Sequence, residues 1–390
     1  MAVGKIGVLT GGGDVPGMNS AIKEIAEAGW VKNIKILGIR RGWEGLTHLN
    51  HEDPQSRRRY LVNLTRENTR TIDRMGGTCL HTSRTNPAKM KELPDHLDAS
   101  AFPENETKTG AAYDMTRQVL KNIEALELDA LITIGGDDTL SYSSALNAKG
   151  VPVIAIPKTM DNDVQNTEYC IGFATAIARA IDAIQRQRTT IGSHERIGIF
   201  RIFGRNAGHT AFYTSYVTSI RCAIPEFKFD LDRMIELIVE EKRDNPSGYS
   251  LVILSEGAGW NGYSVREYGD PDAYGHRKKA SVAEDFSEEL KKRAGEETTI
   301  SDLTYDLRSG EAAFMDKLIS CTFAQMAVES LLKNRSGLMT AIRQGCYAMT
   351  PIPDSGMGPR YVDVNAMYDT ELYRPKYFDK AGLPVFLTRV

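Results

Sequence analysis

The sequence predicts an α/β fold with two domains that each contain a mostly parallel sheet. Short β-branched runs such as 5–10 and 128–134 alternate with amphipathic segments such as 172–190. Such alternation is typical of parallel sheets that helices cover on both faces. The alternation starts again at 196–204 and 248–258. The restart, in a chain of 390 residues, indicates a second α/β domain.

Each element is predicted from its own residue pattern. Short apolar runs predict buried strands, and apolar residues three and four positions apart predict helices. A polar stretch rich in Gly and Tyr, at about 262–285, predicts a loop, and the basic run "SRRRY" at 56–60 predicts a solvated surface. The predicted elements are strand 5–10, helix 18–30, strand 34–42, amphipathic segment 111–127, strand 128–134, helix 140–149, strand 151–157, helix 172–190, strands 196–204 and 248–258, and helix 311–334.

Composition places the chain among ordinary globular proteins of the cytoplasm. Hydrophobic residues make up 41% and charged residues 25%, and no apolar run is long enough to span a membrane. The N-terminus enters a strand-like run without the pattern of a signal peptide. The five widely spaced cysteines predict reduced thiols, and a net charge of −3 argues against bulk nucleic-acid binding.

Three of the predicted strands end in loops with unusual chemistry, and ligands of open parallel sheets bind at such ends. The first loop is "GGGDVPG" at 11–17, in which Gly12 and Gly13 allow a phosphate to approach the backbone closely. Gly11, Gly13 and Gly17 also fit a loose dinucleotide fingerprint. A purely structural glycine turn is a further alternative for this loop.

The other two strand ends carry carboxylates and a lysine. "IGGDDT" at 134–139 places Asp137 where it could hold Mg²⁺, and "PKTMDND" at 157–163 brings Lys158, Asp161 and Asp163 to the third strand end. A turn and helix cap is an alternative explanation for "DND". The chain has no G-x-x-x-x-G-K-[ST] loop. Together the three loops supply the components of phosphoryl transfer.

These loops resemble motifs of the phosphofructokinase family, and specifically of its pyrophosphate-dependent branch. Matching segments run in the family's order from about residue 5 to about residue 310. They are "GVLTGGGDVPGMNSAI", "GGTCLHTSR" (76–84), "GGDDT", "PKTMDND", "HERIGIFRIFGRNAG" (194–208), "LSEGA" and "YDLRSG" (305–310). The resemblance implies two Rossmann-like α/β domains with an active-site cleft between them.

The resemblance also implies how the chain is divided. A larger domain, which binds pyrophosphate and Mg²⁺, is expected at 1–172 plus about 308–360. A smaller domain, which binds the sugar phosphate, is expected at about 173–307 plus the C-terminal segment 361–390. A homodimer or homotetramer with shared sites is implied as well.

The implied reaction is a reversible, Mg²⁺-dependent transfer from pyrophosphate to the C1 hydroxyl of fructose 6-phosphate, direct and without a phosphoenzyme. Asp161 is the implied general base, Asp137 the Mg²⁺ ligand, and Arg205 the group that stabilises charge on the transferring phosphoryl group. Lys158 and Asp138 complete the implied catalytic set. The implied donor-binding residues are Gly12, Gly13, Arg84, Lys158 and Asp138. The implied substrate-binding residues are Thr159, Asp161, Asp163, Arg196 (from a neighbouring subunit), Phe203, Gly204, Arg205, Glu256, Tyr305 and Arg308.

Donor choice is predicted from two positions. Members that use ATP resemble "GGDGS" and "PGTIDND", whereas this chain has Asp138 and Lys158 in place of the two glycines. A carboxylate beside the α-phosphate of a nucleotide costs on the order of several kcal/mol through like-charge repulsion. Pyrophosphate has no α-phosphate, and Lys158 can neutralise this compact anion. The pair therefore predicts pyrophosphate as donor, partly through rejection of ATP.

Other features depart from the family pattern. Thr299 stands where many members have an arginine that binds the sugar phosphate, so this chain is expected to use another cation or to bind that phosphate less tightly. "RSGEAAF" at 308–314 differs from the usual "RGG-x-P", and Tyr305 replaces a histidine that is common in ATP enzymes. These last two differences leave open whether sedoheptulose 7-phosphate or another ketose phosphate is accepted. Lys23 and Glu27 stand where bacterial ATP enzymes carry allosteric arginines, which predicts weak regulation or none.

Three alternatives remain at this stage. The first is an ATP-dependent kinase, either a sugar-phosphate kinase or one of the NAD or lipid kinases with a GGDG loop, and Asp138 argues against it. The second is a catalytically silent paralogue that senses a metabolite, which the presence of Asp161 and Asp137 disfavours. The third is a dinucleotide-binding oxidoreductase, which lacks support because the segment near 30–42 is basic.

Overall fold

Two sheets organise the fold in the computed structural model, which describes residues 3–102, 104–107, 110–264, 267–270, 278–279, 281–354, 356–377 and 381. The strands are β1 Lys5–Thr10, β2 Lys35–Ile39, β3 Leu61–Leu64, β4 Glu104–Thr107, β5 Gly110–Tyr113, β6 Ala130–Gly135, β7 Val153–Pro157, β8 Ile197–Ile202, β9 Arg221–Ala223, β10 Ser250–Ser255, β11 Glu267–Tyr268, β12 Lys278–Lys279, β13 Thr298–Leu303, β14 Leu338–Arg343, β15 Cys346–Pro351, β16 Tyr368–Asp369 and β17 Arg374–Pro375. The helices are α1 Met18–Val31, α2 Trp43–His48, α3 Pro54–Tyr60, α4 Arg66–Thr69, α5 Thr116–Ala125, α6 Asp137–Ala148, α7 Phe173–Ser193, α8 His209–Thr218, α9 Leu231–Asp244, α10 Val282–Ala294, α11 Phe314–Leu332 and α12 Val364–Met367.

The larger sheet has seven strands in the order β15-β14-β7-β6-β1-β2-β3. Its inner strands are parallel, whereas β3 and β15 are antiparallel to their neighbours at the two edges. All residues of β6 and β7 are buried, as expected for strands that are covered on both faces. The smaller sheet has the order β13-β8-β10-β9 and is parallel throughout. The predicted α/β fold class with mostly parallel sheets is confirmed.

Adjacent strands bring the chemically unusual loops together. β1 pairs with β6 up to the partners Thr10 and Ile134, and β6 pairs with β7 up to Gly135 and Pro157. Because the three strands are parallel and end in register, the loops that follow them meet at one edge of the sheet. The sheet therefore gathers three segments that lie far apart in the sequence.

Several elements differ from the sequence prediction. Helix α6 begins at Asp137, three residues before the predicted start at 140, so Asp137 and Asp138 form its first turn. The sequence analysis assigned no strand to β3, β13, β14 or β15. Much of the predicted loop at 262–285 lies outside the described residues, and helix α10 already begins at Val282. The run 56–60 lies in α3, where its arginines are exposed as predicted.

The chain returns to the larger sheet near its C-terminus, because β14 pairs with β7. The boundaries predicted for the two domains stay a prediction, and most of the C-terminal segment beyond 377 lies outside the described residues. Among the helices that the structure describes, none combines the length and the apolar character that crossing a bilayer requires.

Candidate active site

A cleft of about 650 Å³ lies where the carboxyl ends of the two sheets face each other. Loops after β1, β6 and β7 line one side, and loops after β8, β10 and β13 line the other. The sequence-predicted residues in its lining are Gly12, Gly13, Arg84, Asp137, Asp138, Lys158, Thr159, Asp161, Asp163, Phe203, Arg205, Glu256 and Arg308.

Lys158 is the central cation at the end of the cleft that the larger sheet forms. Its side chain is buried, and a Cβ added to Gly12 would lie 3.0 Å from Nζ, while one added to Gly136 would lie 3.6 Å away. The ammonium group therefore sits between the two glycine turns. Burial, and secondarily the charge of Arg308, lowers the pKa of Lys158 to about 8.

The first glycine turn is held by the segment 76–84. Gly12 has a φ of 78°, a left-handed conformation that glycine adopts without strain. Its N–H donates to the carbonyl of Ser83 at 3.0 Å, and its carbonyl accepts from the Thr82 hydroxyl at 2.6 Å. These bonds bring Arg84, which follows directly, to the cleft. The segment 76–84 is thus fixed to the first glycine turn by one backbone and one side-chain hydrogen bond.

Asp137 and Asp138 open helix α6 at the same end of the cleft. A carboxylate in the first helical turn is stabilised by the helix dipole. Asp137 is exposed in the lining of the cleft. Loss of hydration to the surrounding protein, followed by the charges of Asp163 and Asp138, nevertheless raises its pKa to about 8. Such a cluster of negative charge favours a bound cation.

Asp161 lines the cleft with a carboxylate oxygen that lacks a partner within the described ranges. Its Oδ1 is buried and has no hydrogen-bond partner among the residues that the structure describes. Burial, and after it the charges of Asp163 and Glu256, raises the pKa of Asp161 to about 8, while Arg205 and Arg308 oppose this shift. A base with a pKa near neutrality suits proton transfer at physiological pH.

The loops of the smaller sheet contribute Arg205 and Glu256. Glu256 is 7% exposed, and its Oε1 lies 4.0 Å from Nε of Arg205. Gly204 lies in the turn after β8 and has a φ of 138°. Its carbonyl accepts a hydrogen bond from the hydroxyl of Ser255 at 2.8 Å. An added Cβ at Gly204 would lie 2.3 Å from that hydroxyl oxygen, so the turn requires glycine.

Arg308 joins the two ends of the cleft. Its guanidinium stacks near Phe203 and Tyr305, with its carbon 5.7 Å and 5.0 Å from the ring centroids. Its Nη2 donates to Oδ1 of Asp14 at 3.3 Å, next to the first glycine turn. The Phe203 and Tyr305 rings meet edge to face at a centroid distance of 5.9 Å. The predicted sugar-phosphate residues are therefore in contact with each other.

Three predicted residues do not line the cleft. Arg196 lies at the start of β8, pairs with Glu297 at 3.3 Å, and has a side chain that is 39% exposed. Tyr305 is 68% exposed and touches the cleft only through Phe203 and Arg308. Gly204 contributes backbone behind the lining. Among the described residues, these positions have no part in the cleft wall of a single chain.

The sequence analysis missed one wall of the cleft. Four residues that follow β15 line the cleft together with the loops after β1, β6 and β7: Pro353, Asp354, Gly358 and Pro359. They lie in an irregular segment about 200 residues after "PKTMDND", without periodic apolar residues. The only signal in the sequence was the density of Pro and Gly, which indicates an ordered turn without saying where it packs. Also missed in the lining were Asn86, Lys89 and Asn206.

The donor set fits a divalent cation that is shared with a ligand. Within the described ranges no three His, Cys, Asp or Glu side chains form a complete metal cage. Mg²⁺ commonly binds through one or two carboxylates and completes its shell with water and phosphate oxygens. Asp137, open to the cleft and surrounded by negative charge, suits such a partial site.

The cleft combines two glycine turns and a buried lysine with carboxylates and arginines, a set of groups that suits phosphorylated ligands. The chain belongs to the phosphofructokinase family, since residues 5–331 match the family described as Phosphofructokinase. It is therefore a phosphofructokinase-family transferase. Enzymes of this family generally use a divalent metal.

Relatives with both kinds of donor in their names are similar to this chain. The pyrophosphate–fructose 6-phosphate 1-phosphotransferase of Thermoproteus tenax is 33% identical over 381 residues, which are 97% of this chain and 100% of the relative. ATP-dependent 6-phosphofructokinase 3 of Streptomyces coelicolor is 30% identical over 354 residues, 90% of this chain and 94% of the relative.

The fold is also found in solved structures. The pyrophosphate-dependent phosphofructokinase of Marinobacter aquaeolei superposes with a TM-score of 0.76 at 16% identity, over 99% of this chain and 92% of that chain. At this identity the likeness shows the shared fold of two α/β domains around a cleft.

Proposed function

We propose that the chain transfers a phosphoryl group reversibly from pyrophosphate to the C1 hydroxyl of fructose 6-phosphate, giving fructose 1,6-bisphosphate and phosphate. The observation that carries the proposal is the buried Nζ of Lys158 between Gly12 and Gly136, beside the carboxylates that open α6. This arrangement is suited to bind a small anion at a single positive charge. The similarity to named pyrophosphate-dependent relatives supports the same donor.

Donor binding is assigned to the end of the cleft formed by the larger sheet. Glycine turns without side chains let the pyrophosphate oxygens approach the backbone and the N-terminus of α6 closely. Lys158 lies between the two turns. Arg84 lines the cleft and follows Ser83, whose carbonyl accepts from the N–H of Gly12. As the phosphate leaves, these cations stabilise the charge that accumulates on it.

Asp137 is the proposed ligand of Mg²⁺. When bound there, Mg²⁺ would neutralise phosphate oxygens and lower the cost of charge on the transferring group. Asp138 and Asp163 contribute to the negative potential around Asp137. The chain thus supplies the attraction for the ion, and the substrate supplies the remaining ligands.

Asp161 is the proposed general base for the C1 hydroxyl. Its free Oδ1 can accept the hydroxyl proton as the oxygen attacks phosphorus, and the direct transfer then needs no phosphoenzyme. Arg205, whose charge acts on Asp161, is proposed to stabilise the transferring phosphoryl group. Thr159 and Asp163 lie on the same loop and are proposed to line the acceptor site.

The sugar phosphate is assigned to the end of the cleft formed by the smaller sheet. Glu256 and the backbone at Phe203 and Gly204 are proposed to hold the sugar, and Tyr305 and Arg308 to face its phosphate. The exposure of Arg196, outside the cleft of its own chain, supports a role in the site of a neighbouring subunit. We accordingly propose a cytoplasmic homodimer or homotetramer with shared sites.

Use of ATP is the second candidate, because a relative with ATP in its name is 30% identical. Asp138 argues against it. A carboxylate in the first turn of α6 would face the α-phosphate of a nucleotide, and the repulsion would act in a partly dry cleft. Pyrophosphate has no α-phosphate and avoids that contact, so the same side chain can reject ATP and still admit the proposed donor.

The acceptor and the reaction are tested by product analysis. Purified protein is incubated with pyrophosphate, Mg²⁺ and fructose 6-phosphate, and the products are followed by phosphorus NMR. We expect a new phosphomonoester on C1 and one equivalent of free phosphate. The reverse reaction, started with fructose 1,6-bisphosphate and phosphate, should produce pyrophosphate. Hydrolysis of pyrophosphate without a sugar bisphosphate would contradict the proposal. Omission of Mg²⁺ should abolish turnover in both directions.

A further inference from the structure

A buried arginine from the irregular segment after β15 lies against the loop that carries Asp161. Arg360 is 6% exposed, although it stands about 200 residues away in the sequence from that loop. A buried guanidinium is expensive to desolvate and is retained only where carbonyl groups or negative charges compensate it. Its partners therefore indicate what the residue does.

The partners of Arg360 are backbone groups of the catalytic loop. Its N–H donates to the carbonyl of Asp163 at 2.6 Å, and its Nη2 donates to the carbonyl of Asn162 and, at 3.5 Å, to that of Glu168. Asn162 separates Asp161 from Asp163 and has a φ of 53°, in the left-handed region. Arg360 thus fixes the peptide units directly after the proposed base.

The segment around Arg360 is itself anchored to the smaller-sheet half of the molecule. The carbonyl of Arg360 lies 3.2 Å from Nε2 of His209, at the start of α8. The N–H of Val362 donates to Oε1 of Glu226 at 2.9 Å, and the same oxygen accepts from Gly208. The segment 360–362 is therefore hydrogen-bonded on one side to the loop that carries Asp161 and on the other side to residues of the smaller-sheet half.

The guanidinium keeps part of its hydrogen-bonding capacity unused. Nε and Nη1 of Arg360 are buried and have no hydrogen-bond partner among the residues that the structure describes. The charge of Arg360 acts on Asp163 and lowers its pKa against the opposing effect of burial, which raises the pKa overall. A cation with unfilled donors stabilises negative charge on the loop above it.

We propose that Arg360 is a positioning residue of the phosphoryl-transfer reaction, which orients the loop 161–168 by holding the carbonyl groups of Asn162, Asp163 and Glu168. It does not touch the substrates but sets the direction in which the Asp161 carboxylate faces the acceptor hydroxyl. The expected effect on catalysis rests on the proposed function. The expected effect on the conformation of the loop 161–168 rests on the hydrogen bonds alone.

The test compares Arg360→Ala with a matched control, Arg374→Ala. Arg374 is a partly buried arginine of the C-terminal segment that pairs with Glu241 and does not line the cleft. We expect R360A to lower kcat about 100-fold, the cost of a misplaced catalytic group, while KM for both substrates changes less than about threefold. R374A should retain wild-type kcat.

Free guanidinium at millimolar concentration should restore kcat of R360A at least about tenfold by filling the vacated space, and should leave kcat of R374A unchanged.

Hydrogen exchange separates this inference from the proposed function. In R360A the amides of 161–170 should exchange about ten times faster than in the wild type, whereas R374A should leave them protected. Unchanged exchange, or a kcat of R360A within about twofold of the wild type, would overturn the inference. If the wild type has no activity with pyrophosphate and fructose 6-phosphate, the proposed function fails and exchange alone decides the inference. Should R360A not fold, Arg360→Lys, which keeps the charge but cannot reach several carbonyls, is expected to show the same pattern.

Discussion

The two ends of the cleft are built in different ways. At the donor end, loops after β1, β6 and β7 meet because three parallel strands lie side by side in register. At the sugar end, Arg205, Glu256 and Arg308 follow strands of the other sheet, Tyr305 is 68% exposed, and Arg196 lies outside the cleft. All residues proposed for the donor end line the cleft of a single chain, whereas Tyr305 and Arg196, which are proposed for the sugar end, lie outside its lining. Substitutions should accordingly disturb catalysis most at the donor end and substrate affinity at the sugar end.

The largest effect is expected where both ends meet, at Asp161. Asp161→Asn removes the proposed base and should lower kcat about 10³-fold with little change in KM. Asp354→Asn, which removes a carboxylate elsewhere in the cleft wall, serves as the control and should change kcat less than about threefold. Similar losses of kcat in D161N and D354N would indicate that any negative charge in the cleft supports turnover, and would contradict a role of Asp161 as the base.

The same variant has a consequence for stability. The pKa of Asp161 is raised from its usual value of 3.8 to about 8 in the folded state, so the folded protein binds the proton more tightly than the unfolded chain does. Stability is therefore lost as the pH rises from about 4 to about 8, and D161N escapes this loss. Thermal unfolding should show a melting temperature a few degrees above wild type at pH 8, with a smaller difference at pH 5. An equal difference at both pH values would contradict the assigned pKa.

Lys158→Met should have the next largest effect. It removes the buried cation between the glycine turns, and kcat/KM for pyrophosphate should fall about 10²-fold, with KM for fructose 6-phosphate nearly unchanged. Lys89→Met, an exposed lysine of the same cleft, is the matched control. Because burial lowers the pKa of Lys158 to about 8, kcat/KM of the wild type should decline above that pH. The decline should disappear in K158M, and its persistence would assign it to another group.

Asp138 tests whether the donor end also selects. Asp138→Gly should gain ATP-dependent activity by about tenfold to a hundredfold and lose some activity with pyrophosphate. Asp138→Asn keeps the volume and removes the charge, so a gain in both variants assigns rejection of ATP to charge, and a gain in D138G alone assigns it to space. No change in either variant would mean that Asp138 has only a structural role.

The smallest effect is expected at the open sugar end. Arg196→Ala should raise KM for fructose 6-phosphate about tenfold and leave KM for pyrophosphate unchanged, whereas Glu297→Gln, which removes only its partner within the chain, should have little effect. If Arg196 serves a neighbouring subunit, mixed oligomers of R196A and D161N should regain activity, since one site then has both residues. Mixtures no more active than their parents would contradict a shared site.

The predictability of the two ends differed for physical reasons. Lys158 and Asp161 could be singled out from the sequence because each follows a buried strand, and parallel strands present such ends together. The start of α6 at Asp137 was missed, because the glycines before it break the periodicity that marks a helix.

Long-range packing was less predictable than local loops. The edge strands β3 and β15 are partly exposed, and their burial patterns lack the continuous buried runs of β6 and β7. Arg360 carries no local signal at all, since its burial depends on contacts with residues about 200 positions earlier. A charged residue in an irregular segment is predicted from sequence to be solvent-exposed, and only the fold shows whether other residues cover it.

The most direct test of the account is a competition between donors in one reaction. Wild-type protein receives fructose 6-phosphate, Mg²⁺ and equal concentrations of pyrophosphate and ATP, and phosphorus NMR follows both donors at once. The account predicts that pyrophosphate is consumed in step with formation of fructose 1,6-bisphosphate while the ATP signals stay constant. Consumption of ATP at a comparable or higher rate would contradict the assignment of Lys158 and Asp138 as a site for pyrophosphate.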